Sequence, residues 1–192
     1  QYDSALILAR ALPRTPFAGS YRVVPTLASA VRTGGEEYAV VVADTVEDQR
    51  TASDRLESLG FTVVGMGASA DELVDPISRA PGIDIAVIRK SDMNMDDLNM
   101  AELRRNPKTS ATPILMIVSA GDMPKFAANF KNESLVEVTR TGVSDNAFAA
   151  SVDSLMERGV GGRLTQLESD IYAMEALGAL RCLIAADMDL YI

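Results

Sequence analysis

Between residues 38 and 157 the chain alternates, five times over, short runs of β-branched and small apolar residues with amphipathic stretches of helical period. That alternation constrains the fold more than any other feature. The runs are 38–43 (Tyr-Ala-Val-Val-Val-Ala), 62–65 (Thr-Val-Val-Gly), 84–88 (Asp-Ile-Ala-Val-Ile), 113–118 (Pro-Ile-Leu-Met-Ile-Val) and 135–139 (Leu-Val-Glu-Val-Thr). Their near-continuous apolar character marks strands buried on both faces, as in a parallel sheet covered by helices. In the first helical stretch Ala52, Leu56 and Leu59 share a face while Asp54, Arg55 and Glu57 point outward, and Gly60 supplies the stop. Further helix starts are expected at Ser69, with Glu72 completing a capping box, and at Asp96 ahead of 98–105, which Asn106-Pro107 closes. Ala147, Phe148, Val152, Leu155 and Met156 give the last helix its inner face. Strict alternation of five strands and five helices predicts an α/β fold, a flavodoxin-like doubly wound five-stranded parallel sheet. Right-handed crossovers then give the strand order 2-1-3-4-5.

The flanks follow another pattern. Residues 2–12 read as a helix stopped by Pro13, and 23–31 as a second helix ending before Gly34-Gly35. After the glycine-rich loop 159–162, Leu164, Leu167, Ile171, Met174, Leu177, Leu180, Leu183 and Ile184 form a long apolar pattern of helical period, with Thr165 and Glu168 as its capping box. A stripe of that length needs a surface to lie against, either the N-terminal helices or other parts of a parent protein. The expected organisation is thus a helical N-terminal flank (1–36), the α/β domain (37–158) and a C-terminal helical extension (159–192). The chain begins at Gln1 without Met or a basic-then-apolar leader, and is expected to be a piece of a longer polypeptide.

Composition removes whole classes of function. There is no His and one Cys, Cys182, so neither His-based catalytic triads nor Cys/His zinc sites can be assembled within the chain. A lone Cys forms no internal disulfide, which points to a reducing, cytoplasmic setting. With 18 basic and 27 acidic residues the net charge is −9, a field that repels phosphate backbones and anionic lipid. Neither nucleic acid nor a membrane is expected as a partner, and the longest apolar runs fall far short of the roughly 20 residues a spanning helix needs.

In a doubly wound sheet the functional crevice lies at the carboxyl ends of the strands. The residues to inspect there are Asp44-Thr45, Arg89-Lys90-Ser91, Ser119-Ala120 and Arg140-Thr141. Taken with these, the segments Val42-Ala-Asp-Thr-Val-Glu-Asp-Gln-Arg50, Leu59-Gly-Phe-Thr-Val-Val64, Asp84-Ile-Ala-Val-Ile88, Asn94-Met-Asp-Asp-Leu98 and Thr112-Pro-Ile-Leu-Met116 resemble the receiver (CheY-like) domain of two-component response regulators, over residues 38–158. The resemblance implies a pocket in which an acidic pair after strand 1 holds Mg²⁺, an Asp ending strand 3 accepts phosphate, a Ser or Thr ends strand 4 and a Lys ends strand 5. Here the acidic pair falls on Asp44 and Thr45, the acceptor on Arg89, the hydroxyl on Ser119, and the Lys near Arg140 or Thr141.

A guanidinium cannot form an acyl phosphate, so this degenerate pocket is expected not to be phosphorylated. A hydroxyl and a cation in place of two carboxylates also disfavour a dication, so no metal and no cofactor is expected. Arg89 is expected to pair with Asp44 and to stand in for the metal as the local positive charge.

Three further signals are weaker. Asp92-Met-Asn-Met-Asp96 begins like a calcium loop, but Asp97 stands where Gly is needed and Leu103 where Glu is needed. Gly65-Met-Gly-Ala-Ser69 hints at a phosphate cradle but follows the second strand and lacks a third Gly; a permissive strand-to-helix turn is the simpler account. Met93, Met95 and Met100 surround one loop, as core filler or as an adaptable binding surface.

These features lead to the expectation of a pseudo-receiver, a signalling or protein-interaction module of a larger bacterial protein, with no enzymatic activity. In ordinary receivers the face of helix 4, strand 5 and helix 5 mediates association. Here that face would carry Phe126, Phe130, Val136, Val138 and outward residues of 144–157, for a protein partner or self-association. One alternative is a sensor binding a small anion at the crevice through Arg89, Lys90, Ser119 and Arg140. Another is a purely structural domain, its flanks resembling pieces of HEAT-type helical repeats.

Overall fold

The computed structural model describes residues 2–12, 15, 17, 20, 23–33, 36–90, 98–163 and 165–185 of the 192-residue chain. They fall into two compact units: Glu36–Arg163, and a second formed jointly by Gln1–Gly35 and Leu164–Ile192.

The first unit is a five-stranded, all-parallel sheet in the order β2-β1-β3-β4-β5, built from β1 (Glu37–Ala43), β2 (Phe61–Gly67), β3 (Ile85–Arg89), β4 (Ile114–Val118) and β5 (Val136–Arg140). The flavodoxin-like fold and strand order expected from the alternation are those observed. Successive residues of a strand point to opposite faces, and the three central strands are apolar at every core position because both faces are covered. On one face Ala39, Val41, Ala43, Ile85, Val87, Leu115 and Ile117 pack against α3 (Val46–Ser58) and α7 (Asp145–Val160). On the other, Val40, Val42, Ala86, Ile88, Ile114 and Met116 meet Leu73 and Ile77 of the α4 (Val74–Arg79) region, Leu103 of α5 (Leu98–Arg105) and Phe126 of α6 (Met123–Asn129).

Local chemistry sets the boundaries. Thr45 caps α3, its Oγ1 accepting the Asp48 backbone N–H at 3.1 Å, and Ser144 caps α7 through the Ala147 N–H at 3.3 Å. Helix α7 ends at Gly161, whose φ of 87° is the left-handed conformation favouring glycine. Arg163 closes the unit: its guanidinium binds Glu37 at the start of β1, donates to the Leu59 carbonyl at 2.7 Å and lies 4.7 Å from the centre of the Phe61 ring.

Ser69 does not begin a helix. A 3₁₀ turn, Asp71–Leu73, leads into α4, and no side chain of its own segment caps it. Instead Asn99 of α5 accepts the Ala70 N–H at 2.9 Å, and the Glu72 carboxylate accepts the Ala68 N–H at 2.9 Å. A distant acceptor and an adjacent one thus hold the turn that leads into α4. The expected start at Asp96, with the Asp92–Asp96 stretch, Met93, Met95 and Ser91, lies outside the described residues; Met100 packs on the core.

Gly65 and Gly67 lie inside β2, and no positive φ explains them. A Cβ on Gly65 would sit 2.9 Å from Cβ of Pro76, and one on Gly67 would sit 2.9 Å from Oε2 of Glu72. Close approach of the following turn to the strand requires them. The carboxylate already in that turn also opposes a phosphate there.

The second unit packs α1 (Tyr2–Ala11), α2 (Val23–Thr33) and α8 (Gln166–Ala185) around Ala5, Leu6, Ala9, Leu27, Ala30, Ala176, Ala179 and Leu183. The capping box forms as expected: Thr165 N–H donates to Glu168 Oε2 at 2.9 Å, and Thr165 Oγ1 accepts the Glu168 N–H at 3.3 Å. Only part of the apolar stripe of α8 lies against the N-terminal helices, the first of the two surfaces expected for it. Leu180 and Leu183 face α1 and α2, but Leu167, Ile171, Met174 and Leu177 are exposed. Leu164 and the Ile184 side chain lie outside the described residues. The buried face is made instead by Ser169, Ala176 and Ala179, whose small side chains let helix axes approach closely.

Candidate functional site

The carboxyl ends of β1, β3, β4 and β5 assemble the crevice. Ala43 is in register with Arg89, Arg89 with Ile117, and Val118 with Arg140, so Asp44, Thr45, Arg89, Lys90, Ser119 and Arg140 all lie along one end of the sheet.

Arg89 does not pair with Asp44. Its Nη1 lies 2.9 Å from Oδ1 of Asp48, and Asp44 Oδ1 is taken by Lys90 Nζ, also at 2.9 Å. The two-residue period of the strand explains the exchange. Arg89 continues the Ile85, Val87 row that faces α3, and Asp48 stands in the first turn of that helix; Lys90 continues the Ala86, Ile88 row on the opposite face. Asp44, one residue beyond Ala43, turns to that opposite face as well. Lys90 Nζ also donates to the Ala68 carbonyl at 2.6 Å, tying the end of β3 to the segment after β2.

Both pairs are partly shielded, with side chains 20–33% exposed. Each contributes about 1 kcal/mol or less to stability. Their larger effect is electrostatic: two cations and two carboxylates cancel within the crevice. Asp48 gains further from its position near the N-terminus of α3, where a carboxylate opposes the helix dipole. Gln49 completes this corner, its Nε2 donating to the Ala43 carbonyl at 2.9 Å.

Thr45 faces the same end, but its hydroxyl is committed to capping α3. Ser119 is exposed and makes a local turn, donating to Asp122 Oδ2 at 2.7 Å and accepting the Asp122 backbone N–H at 3.2 Å. Arg140 is exposed at the end of β5, and no salt bridge holds it among the described residues.

These residues do not fit the Mg²⁺ that a receiver pocket holds. Of the acidic pair only Asp44 is a carboxylate, and it is bound to an ammonium; a guanidinium projects from the end of β3. No group of three or more potential ligands able to hold a metal occurs among the described residues. Asp48 and Asp122 are the site residues that inspection of strand ends alone misses. The signal for Asp48 was present: Thr45-Val-Glu-Asp48 is a helix-start pattern, which places an acid one turn into α3.

The face of α6, β5 and α7 also differs from expectation. Phe126, Val136 and Val138 are buried and Phe130 packs against the core, so none of these four forms the outer surface. β5 is the edge strand, but these side chains point under α6 into the sheet. Charged and polar groups cover the face instead, among them Lys125, Lys131 and the ion pair of Glu137 with Arg158.

No helix among the described residues is long and apolar enough to cross a membrane. Neither a protein-family model nor a curated protein matches the sequence. Solved structures do match the fold. A sensor protein from Polaromonas sp. JS666 superposes with a TM-score of 0.52 at 17% identity, over 65% of this chain and 98% of the other. The REC domain of the PhyR response regulator of Erythrobacter litoralis superposes with a TM-score of 0.51 at 8% identity, over 68% of this chain and 98% of the other. The likeness covers nearly all of each neighbour, and the sheet and its helices are similar in fold to that receiver domain.

Proposed function

We propose that the Glu36–Arg163 unit is a receiver-like signalling module that cannot be phosphorylated and acts by binding a protein partner, as part of a larger bacterial protein. The observation that carries this reading is the Arg89–Asp48 pair at 2.9 Å. An acyl phosphate needs a carboxylate nucleophile, and the end of β3 offers a guanidinium held in place by an acid from α3. The Lys90–Asp44 pair acts in the same direction by occupying the one carboxylate that matches the metal pair. In this reading both cations already occupy the crevice, and the unit presents one fixed surface without an activating reaction. Among the described residues, Asp44 and Asp48 are both engaged by cations, which supports binding over catalysis.

Incubation with acetyl phosphate and Mg²⁺, followed by intact-mass measurement, tests the reading. The expected result is an unmodified chain and no thermal shift with Mg²⁺ and a phosphoryl mimic. A phosphoryl adduct on any residue of the crevice overturns it.

A further inference from the structure

The exposed large apolar side chains are unevenly distributed. Of the eight among the described residues, five belong to the three-helix unit: Ile7, Leu167, Ile171, Met174 and Leu177. Leu167, Ile171 and Met174 are 50–72% exposed and follow one another at spacings of four and three. With Gly178 and Arg181, four and seven residues beyond Met174, they make one stripe along α8, diametrically opposite the face buried by Ala176, Ala179 and Leu183. Spacings of four and three alternating along a helix are those of a helix-pairing seam. Ile7 broadens the patch, because it lies between Asp3 and Arg10 on the edge of α1 whose side chains reach Tyr172 and Glu175 of α8.

Among the described residues nothing requires a glycine at 178. It sits inside a helix, where glycine is unfavourable, and a Cβ built on it would meet nothing within 4 Å. On an exposed seam a glycine lets a second helix come close.

We infer that this stripe is the interface with a second copy of the chain, α8 packing antiparallel on α8 about Met174. Charge selects both the occupant and the direction. Two acids flank the N-terminal part of the stripe, Glu168 and Asp170, while Arg181 lies at its C-terminal end. A parallel pair would set these acids against themselves and Arg181 against Arg181. The antiparallel pair brings Arg181 within reach of Glu168 and Asp170 of the other copy, sets Gly178 opposite Asp170, and aligns the helix dipoles favourably. The inference does not depend on how the strand-end crevice is read.

Sedimentation equilibrium of the whole 192-residue chain from about 1 to about 200 μM tests the inference, since association by mass action must grow with concentration. The expected result is a monomer–dimer equilibrium. Met174→Glu should abolish the dimer, and so should Gly178→Leu, for which the monomer has open space; circular dichroism and melting temperature report that both variants fold. Arg181→Glu should weaken the dimer, and combining it with Glu168→Arg and Asp170→Arg should restore it. Direction is read from the sole cysteine: an antiparallel pair holds the two Cys182 residues at opposite ends, so oxidation should give no disulfide-linked dimer. A chain that stays monomeric throughout the range overturns the inference. So does a dimer indifferent to both Met174→Glu and Gly178→Leu, or one that Cys182 cross-links.

Discussion

The guanidinium of Arg89, the last residue of β3, lies 2.9 Å from the carboxylate of Asp48 in the first turn of α3. The pair joins a strand end to a helix start across the crevice in which a receiver carries its chemistry. It fixes α3 relative to β3 without a metal, and it depends on Thr45, whose cap sets the position of the Asp48 backbone.

Carboxylates placed at positions 45 and 89 should create a cation site. Thr45→Asp keeps a good helix cap, and Arg89→Asp replaces the guanidinium with the acid of the receiver pattern. The double variant should gain a Mg²⁺-dependent thermal shift of several degrees, corresponding to roughly 1–3 kcal/mol at saturating metal, while the unmodified chain shows none. Differential scanning fluorimetry with and without MgCl₂ checks this. An unchanged melting curve in the double variant would show that other groups, Lys90 first among them, also keep the metal out.

Asp84 gives the fold a pH dependence. Burial pushes its carboxyl up to about 6, the Tyr38 backbone N–H opposing that rise and the charge of Glu37 adding to it. A pKa raised on folding means that the contribution to stability is complete below about pH 4, the unfolded value, and is lost as pH rises through about 6. The loss is on the order of 2 kcal/mol once the water still reaching the carboxyl is allowed for. Asp84→Asn can still accept the Tyr38 N–H and cannot ionise. It should therefore be more stable than the parent at pH 7 and nearly equal to it near pH 4. Urea denaturation at the two pH values measures the difference, and equal offsets at both would rule the mechanism out.

Gly65→Ala should destabilise the sheet unit by about 1–3 kcal/mol, because the new methyl must displace the Pro76 ring 2.9 Å away. Gly178→Ala, in open space, should instead leave the fold intact or strengthen α8 by up to about 1 kcal/mol. Chemical denaturation of the two variants side by side separates close packing from helix propensity. Equal effects at both positions would mean that the approach of Pro76 to β2 is not what requires Gly65.

The strands, their order and the helix periods were legible in the sequence because burial on both faces of a parallel sheet leaves a one-dimensional trace: Val40, Val41, Val42 and Ala43 are all apolar, with nowhere for a polar residue to go. So was the Thr165–Glu168 cap, which involves only neighbours along the chain. The partners of Arg89 and Lys90 were not, since several acids lie within reach of each cation. The pleat of β3 sends the two side chains to opposite faces, and only the placement of α3 decides that Asp48 waits on one of them. In α8 the apolar pattern marks a helix but not its buried side; Ala176 and Ala179 win over Leu167 and Met174 because α1 and α2 approach closely where side chains are small. A linear pattern records how much apolar surface an element must hide, whereas the elements that arrive from elsewhere in the chain determine which face is hidden and which charges meet.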